Sequence, residues 1–163
     1  CLARFLQYFL TMSEMLANNY FIVRDYAKAR EVFLQLPEPV RDDCRVLKKL
    51  ILCEIFLSQP YKALHYLLTI LRRDPAIIIK TDIDTEDCPC RDLIIELEER
   101  AGYSDGDERS ILSLAMLWLY CNLQRAMEYL DLIEDPENKP GIPEFKFLIN
   151  KYLTTTLNSP ERN

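Results

Sequence analysis

The pair Lys28-Ala29 returns as Lys62-Ala63, 34 positions later. A pattern returns with it. Four residues beyond each Ala stands a large apolar side chain, Phe33 or Leu67, and three further another, Leu36 or Ile70. Steps of three and four mark one face of an α-helix. A helical face that recurs at a fixed interval marks a chain built from copies of one helix-turn-helix unit. Such a unit cannot bury its apolar face alone and needs a neighbouring copy stacked on it.

The regular part spans 24–75, and the rest can be placed around it. Residues 2–23 read as one long helix through Phe5, Leu6, Phe9, Met12, Leu16, Tyr20 and Val23, and Tyr8, Leu10, Met15 and Phe21 widen the apolar stripe. A helix apolar nearly all round calls for cover on more than one side. Helices are expected over 26–36, 41–57 and 61–73, broken by Pro37, Pro39 and Pro60, since proline cannot continue the hydrogen-bond ladder. The rhythm fails over 76–106. The run Ala76-Ile77-Ile78-Ile79 reads as a short helix or an extended piece, and 82–108 carries eleven acidic residues. A helix over 92–101 fits inside this elaborated segment. The pattern resumes with helices over 110–121 and 124–134, and a capping helix over 144–157 precedes a polar tail, 158–163. One all-α domain over 1–157 is expected, with repeats at about 10–40, 41–75 and 107–137 and an irregular acidic insertion at 76–106.

Composition removes several function classes. Three Gly in 163 residues leave little for turn-rich all-β folds or Gly-rich phosphate loops. A net charge of −6 disfavours nucleic acid and anionic membrane as partners, because both reward a basic surface. Of six Cys, Cys44, Cys53 and Cys121 fall in apolar helical patterns, and nothing at the start has the form of a signal peptide. A reducing compartment, cytoplasm or nucleus, is the expectation. The longest apolar run, 114–121, is too short for a membrane span.

With these residues in view, the chain resembles the tetratricopeptide-repeat family. Leu16-Ala17 with Tyr20, then Ala29 and Phe33, match one repeat. Leu114-Ala115 with Trp118, then Ala126, Leu130 and Pro136, match another, with its turn one residue shorter. The middle copy keeps Leu50, Ala63, Leu67 and Pro75 but carries Ile51 at the small position and Glu54 at the aromatic one. The match covers about two thirds of the chain. It implies a right-handed α-solenoid of antiparallel helix pairs, about three repeats plus a C-terminal cap; armadillo-like and other paired-helix stacks remain alternatives. A narrower likeness is to N-terminal regions of the tetratricopeptide subunits of the anaphase-promoting complex, a cell-cycle ubiquitin ligase. It rests on Leu36-Pro37, the irregular middle and the Leu-Ser-Leu-Ala run at 112–115, and it implies a homodimer.

The candidate sites follow. Surplus apolar surface on the first helix (Phe5, Tyr8, Phe9, Met12) and on 111–121 (Leu112, Met116, Leu119) points to self-association. The repeat alignment places Glu14, Asn18, Phe21, Arg45, Lys48 and Ile55 along a concave helix-A groove, where an adaptor would hold a peptide. The carboxylate clamp of chaperone-tail-binding relatives is not matched, because Glu14 and Leu52 stand where Lys and Asn are needed. Cys88-Pro89-Cys90 lacks a second ligand pair for zinc. The run from Asp82 lacks the Gly and the last Glu of a calcium loop. Glu96, Glu98 and Glu99 read as a solvated face, and His65, the one histidine, as a packed or edge imidazole. No catalytic, cofactor or metal residue is assigned. The expectation is a non-catalytic scaffold with protein partners and no small-molecule substrate.

Overall fold

The computed structural model describes the backbone of residues 2–81, 94–99 and 107–157, and side chains over 12–81, 94–99 and 107–155. Every regular element among the described residues is helical. In order they are α1 (Leu2–Ile22), α2 (Tyr26–Gln35), α3 (Glu38–Arg41), α4 (Cys44–Phe56), α5 (Pro60–Arg73), α6 (Ala76–Ile79), α7 (94–99), α8 (Glu108–Trp118), α9 (Leu123–Asp131), a 3₁₀ turn (Pro136–Asn138) and α10 (Ile142–Leu157). The chain divides into two compact units, Cys1–Tyr66 and Leu67–Asn163, and the division falls inside α5.

In the first unit the 34-residue recurrence is physical as well as alphabetic. Arg24 and Ser58, 34 apart, both turn left-handed, with φ of 62° and 57°. The residue after each donates its amide back across the turn, Asp25 to the Tyr20 carbonyl at 2.9 Å and Gln59 to that of Glu54 at 2.8 Å. The next helix then opens alike, Ala29 donating to the Asp25 carbonyl and Ala63 to that of Gln59. This six-to-one closure is the usual way a helix end satisfies its free carbonyls. Asp25 adds a cap by accepting from the Lys28 amide at 3.2 Å.

α1 packs on α2, and α2 packs on α4. Ala17 and Ala29 are fully buried, which fits a close approach of two backbones with Phe33 buried beside it. Tyr26 of α2 stacks on Phe56 of α4 at 3.8 Å between ring centres, and Phe21 meets Tyr26 edge-on at 5.7 Å. Arg30 reaches Glu54, an almost fully buried carboxylate, at 3.5 Å.

The expected helix over 41–57 starts later, as α4, and a separate single turn, α3, precedes it. Pro37 and Pro39 open a single turn, α3, and α4 starts only after Asp43, whose carboxylate accepts from the Arg45 amide at 2.8 Å. The β-branched run at 76–79 is helical, one turn closed by the Lys80 amide on the Ala76 carbonyl.

In the second unit α8 packs on α9. Ala115 and Ala126 are fully buried there, as Ala17 and Ala29 are in the first unit. α8 stops at Trp118, three residues before the expected end, and Asn122 caps α9 through the Arg125 amide at 3.1 Å. No left-handed residue stands at this turn, in keeping with its missing residue. Arg72 holds Glu144 with two parallel bonds of 2.7 Å, tying α5 to α10.

Candidate interaction surface

The two apolar surfaces expected to self-associate differ in burial. Leu112, Met116 and Leu119 are at most 1 % exposed, which corrects their assignment to a contact surface. They are core. A sequence stripe cannot distinguish an apolar face that already has a neighbour from one that has none. Phe5, Tyr8 and Phe9 lie outside the residues whose side chains are described.

Met12 is half exposed, and it does not stand alone. Met15, Leu16, Ile22 and Val23 are 45–74 % exposed, and Asn19 among them is also open. At 100° per residue the five of these within α1 fall on one side of it, opposite buried Ala17, and Val23 follows in the turn just past its end. Isolated exposed apolar residues are ordinary, whereas a contiguous stripe over three turns marks a contact surface. The internal repeat shows what such a face does when covered. Shifted by 34, Met12, Leu16 and Asn19 become Val46, Leu50 and Cys53 of α4, all at most 3 % exposed, while Met15, Ile22 and Val23 become the half-buried Lys49, Phe56 and Leu57. On α1 the corresponding place is open.

The expected concave groove is only partly present. Lys48 and Ile55 are 8 % and 4 % exposed, so neither lines an open groove, and this is a correction. The cause is α4 itself, buried almost all round from Val46 to Ile55. Phe21 is half buried against Tyr26. Glu14 and Asn18, both half buried, and exposed Arg45 remain. Glu14 and Asn18 belong to α1 and Arg45 to α4. Asn18 accepts from Lys49 at 2.8 Å, and the Arg45 guanidinium is raised first by its bond to Asp43 and further by the field of Glu14.

Glu98 is the polar residue that sequence reasoning misplaced. Glu96 and Glu99 are exposed as expected, but one oxygen of half-buried Glu98 accepts from Trp118 Nε1 at 3.1 Å, Arg125 at 2.9 Å and the Tyr129 hydroxyl at 2.8 Å. The Arg125 guanidinium lies 4.8 Å over the Trp118 ring. Burial, then the hydrogen bond to Glu98, pushes Tyr129 up to about 12. The cluster's cation, Arg125, comes from α9 within it. Its sequence signal was Trp118, Arg125 and Tyr129 lying near one another in sequence, with nothing to show that Glu98 would reach them.

Among the described residues no group of three His, Cys, Asp or Glu could hold a metal ion, and Cys88, Cys90 and the acidic stretch from Asp82 lie outside them. Burial pushes the Cys53 thiol up to about 12, far from a reactive thiolate. His65 is exposed, edge-on to Tyr66 at 5.9 Å. No described helix is long and apolar enough to cross a membrane. Comparison with family models, with curated proteins and with solved structures gives no match.

Proposed function

We propose that this chain is a non-catalytic protein-interaction scaffold of the tetratricopeptide-repeat kind, a subunit that enters a larger assembly by self-association through the open face of α1. The observation that carries this reading is the apolar stripe Met12, Met15, Leu16 and Ile22 of α1, continued by Val23 just past its end, while the 34-residue counterparts of Met12 and Leu16 on α4, Val46 and Leu50, are buried. The stacked-pair architecture is supported by the recurring left-handed turn at Arg24 and Ser58 and by the buried Ala pairs. The groove reading is weaker because Lys48 and Ile55 are inside.

Sedimentation across the micromolar range tests the proposal. The expected result is a mass that rises with concentration toward twice the monomer. The double variant Leu16→Glu with Ile22→Glu should remain monomeric with unchanged helical circular dichroism, because both side chains are exposed. A wild-type chain that stays monomeric throughout would sink the self-association.

A further inference from the structure

We infer that two copies of this chain associate through a parallel, in-register pairing of their α1 helices, with Asn19 of one copy facing Asn19 of the other. The inference rests on the self-association just proposed and gives it a geometry.

Asn19 occupies the centre of the open face. Met12, Met15 and Leu16 precede it by seven, four and three positions, and Ile22 and Val23 follow by three and four. That is a heptad seam with Met12 and Asn19 at one core position and Met15 and Ile22 at the other. In the sequence the spacing continues back through Phe5 and Tyr8.

Three features favour a second copy over another partner. First, the seam carries no charge. Arg4 and Glu14 are the charged residues of α1, and Glu14 lies on the side that influences Arg45 of α4. A charged partner helix would find no complement. Second, the other exposed large apolar side chains among the described residues are scattered, Leu34 on α2, Ile95 on α7, Leu132 just past α9 and Phe147 on α10. No other described surface is a stripe that could answer this one, so the best complement to the seam is the seam itself.

Third, the amide in the middle asks for its own kind. Covering the stripe with a purely apolar helix would bury the Asn19 amide without a partner, which is costly. A second Asn supplies both donor and acceptor, and in a parallel, in-register pair the same residue meets itself across the axis. One Asn at such a core position specifies register and number of strands at some loss of stability. In an antiparallel pair Asn19 would oppose an apolar residue at most registers. The structure also gives the pairing a physical motive, since the positions buried on α4 as Val46, Leu50 and Cys53 are open on α1 as Met12, Leu16 and Asn19.

Disulfide cross-linking of single-cysteine substitutions on the full chain tests the geometry. Asn19→Cys and Met12→Cys are oxidised mildly and mapped by peptide mass, beside wild type and Glu31→Cys, an exposed control on α2. In a parallel pair both substituted positions bring their Cα atoms within disulfide reach of their own copy. The expected result is a 19-to-19 and a 12-to-12 linkage, neither seen in wild type, with the control at background. Asn19→Leu should associate at least as tightly but lose its single stoichiometry, giving species larger than a dimer. A dimer that cross-links at one of the two positions or at neither would overturn the parallel register while leaving the self-association standing. Absence of any dimer for wild type would overturn both.

Discussion

Glu54, buried, and Glu98, half-buried, are both carboxylates on otherwise ordinary helices, and both are held by partners distant in sequence. Glu54 stands where the repeat pattern expects an aromatic, and Arg30 answers it from α2. Removing one partner of a buried pair leaves an uncompensated charge, which costs more than the pair contributes. Arg30→Met is therefore expected to destabilise by about 3 kcal/mol, whereas Arg30→Met with Glu54→Leu should recover most of the loss. Urea denaturation of the three chains measures this, and an additive double variant would contradict the pairing. Glu98→Ala should cost about 2 kcal/mol, because three donors lose one acceptor. Trp118 is the sole tryptophan, so its fluorescence reports the change directly. The same cluster sets an alkaline limit. Tyr129 holds its proton more tightly folded than unfolded, its ordinary value being 10.0 and its folded value about 12. Its contribution is complete below pH 10 and is lost as pH rises from there toward about 12. Thermal melts through that window should show a falling midpoint in wild type and a shallower fall in Tyr129→Phe.

At the scale of elements, most helices are legible in the sequence because their signals are local. The 3.6-residue spacing marks α1, α2, α5 and α10, and Asp25, three positions before Lys28, caps α2. Misplaced boundaries have local reasons too. Pro37 opens the separate turn α3, Asp43 caps α4 and delays its start, and Asp107 and Asn122 cap α8 and α9. The turns yield a paired prediction. Arg24 and Ser58 hold left-handed backbones that a side chain makes costly. Arg24→Gly and Ser58→Gly should each stabilise by about 0.5–1 kcal/mol, the steric gain outweighing the added freedom of the unfolded chain. Equal gains are expected, since both turns carry the same hydrogen bonds, and a loss at either would mean that the replaced side chain matters there.

For the whole molecule, association and stability are linked. If the open face of α1 is covered only in the dimer, the melting midpoint of wild type should rise with protein concentration. The Leu16→Glu, Ile22→Glu double variant should melt at one temperature regardless of concentration. Calorimetry at two concentrations separates these, and a concentration-independent wild type would argue against the proposed assembly.

What the sequence by itself determined was the helical class, the 34-residue period and the stretch in which that period is cleanest, because hydrophobic spacing, prolines and caps act over a few residues. Which apolar faces are already covered was decided by tertiary structure alone. Met12 and Leu16 on one helix and Leu112 and Met116 on another carry the same four-residue spacing, yet the first pair is half exposed and the second is core. The same holds for Lys48, Ile55 and Glu98, whose surroundings are set by neighbours remote in the chain. Burial is a property of pairs of elements, and periodicity describes only one element at a time.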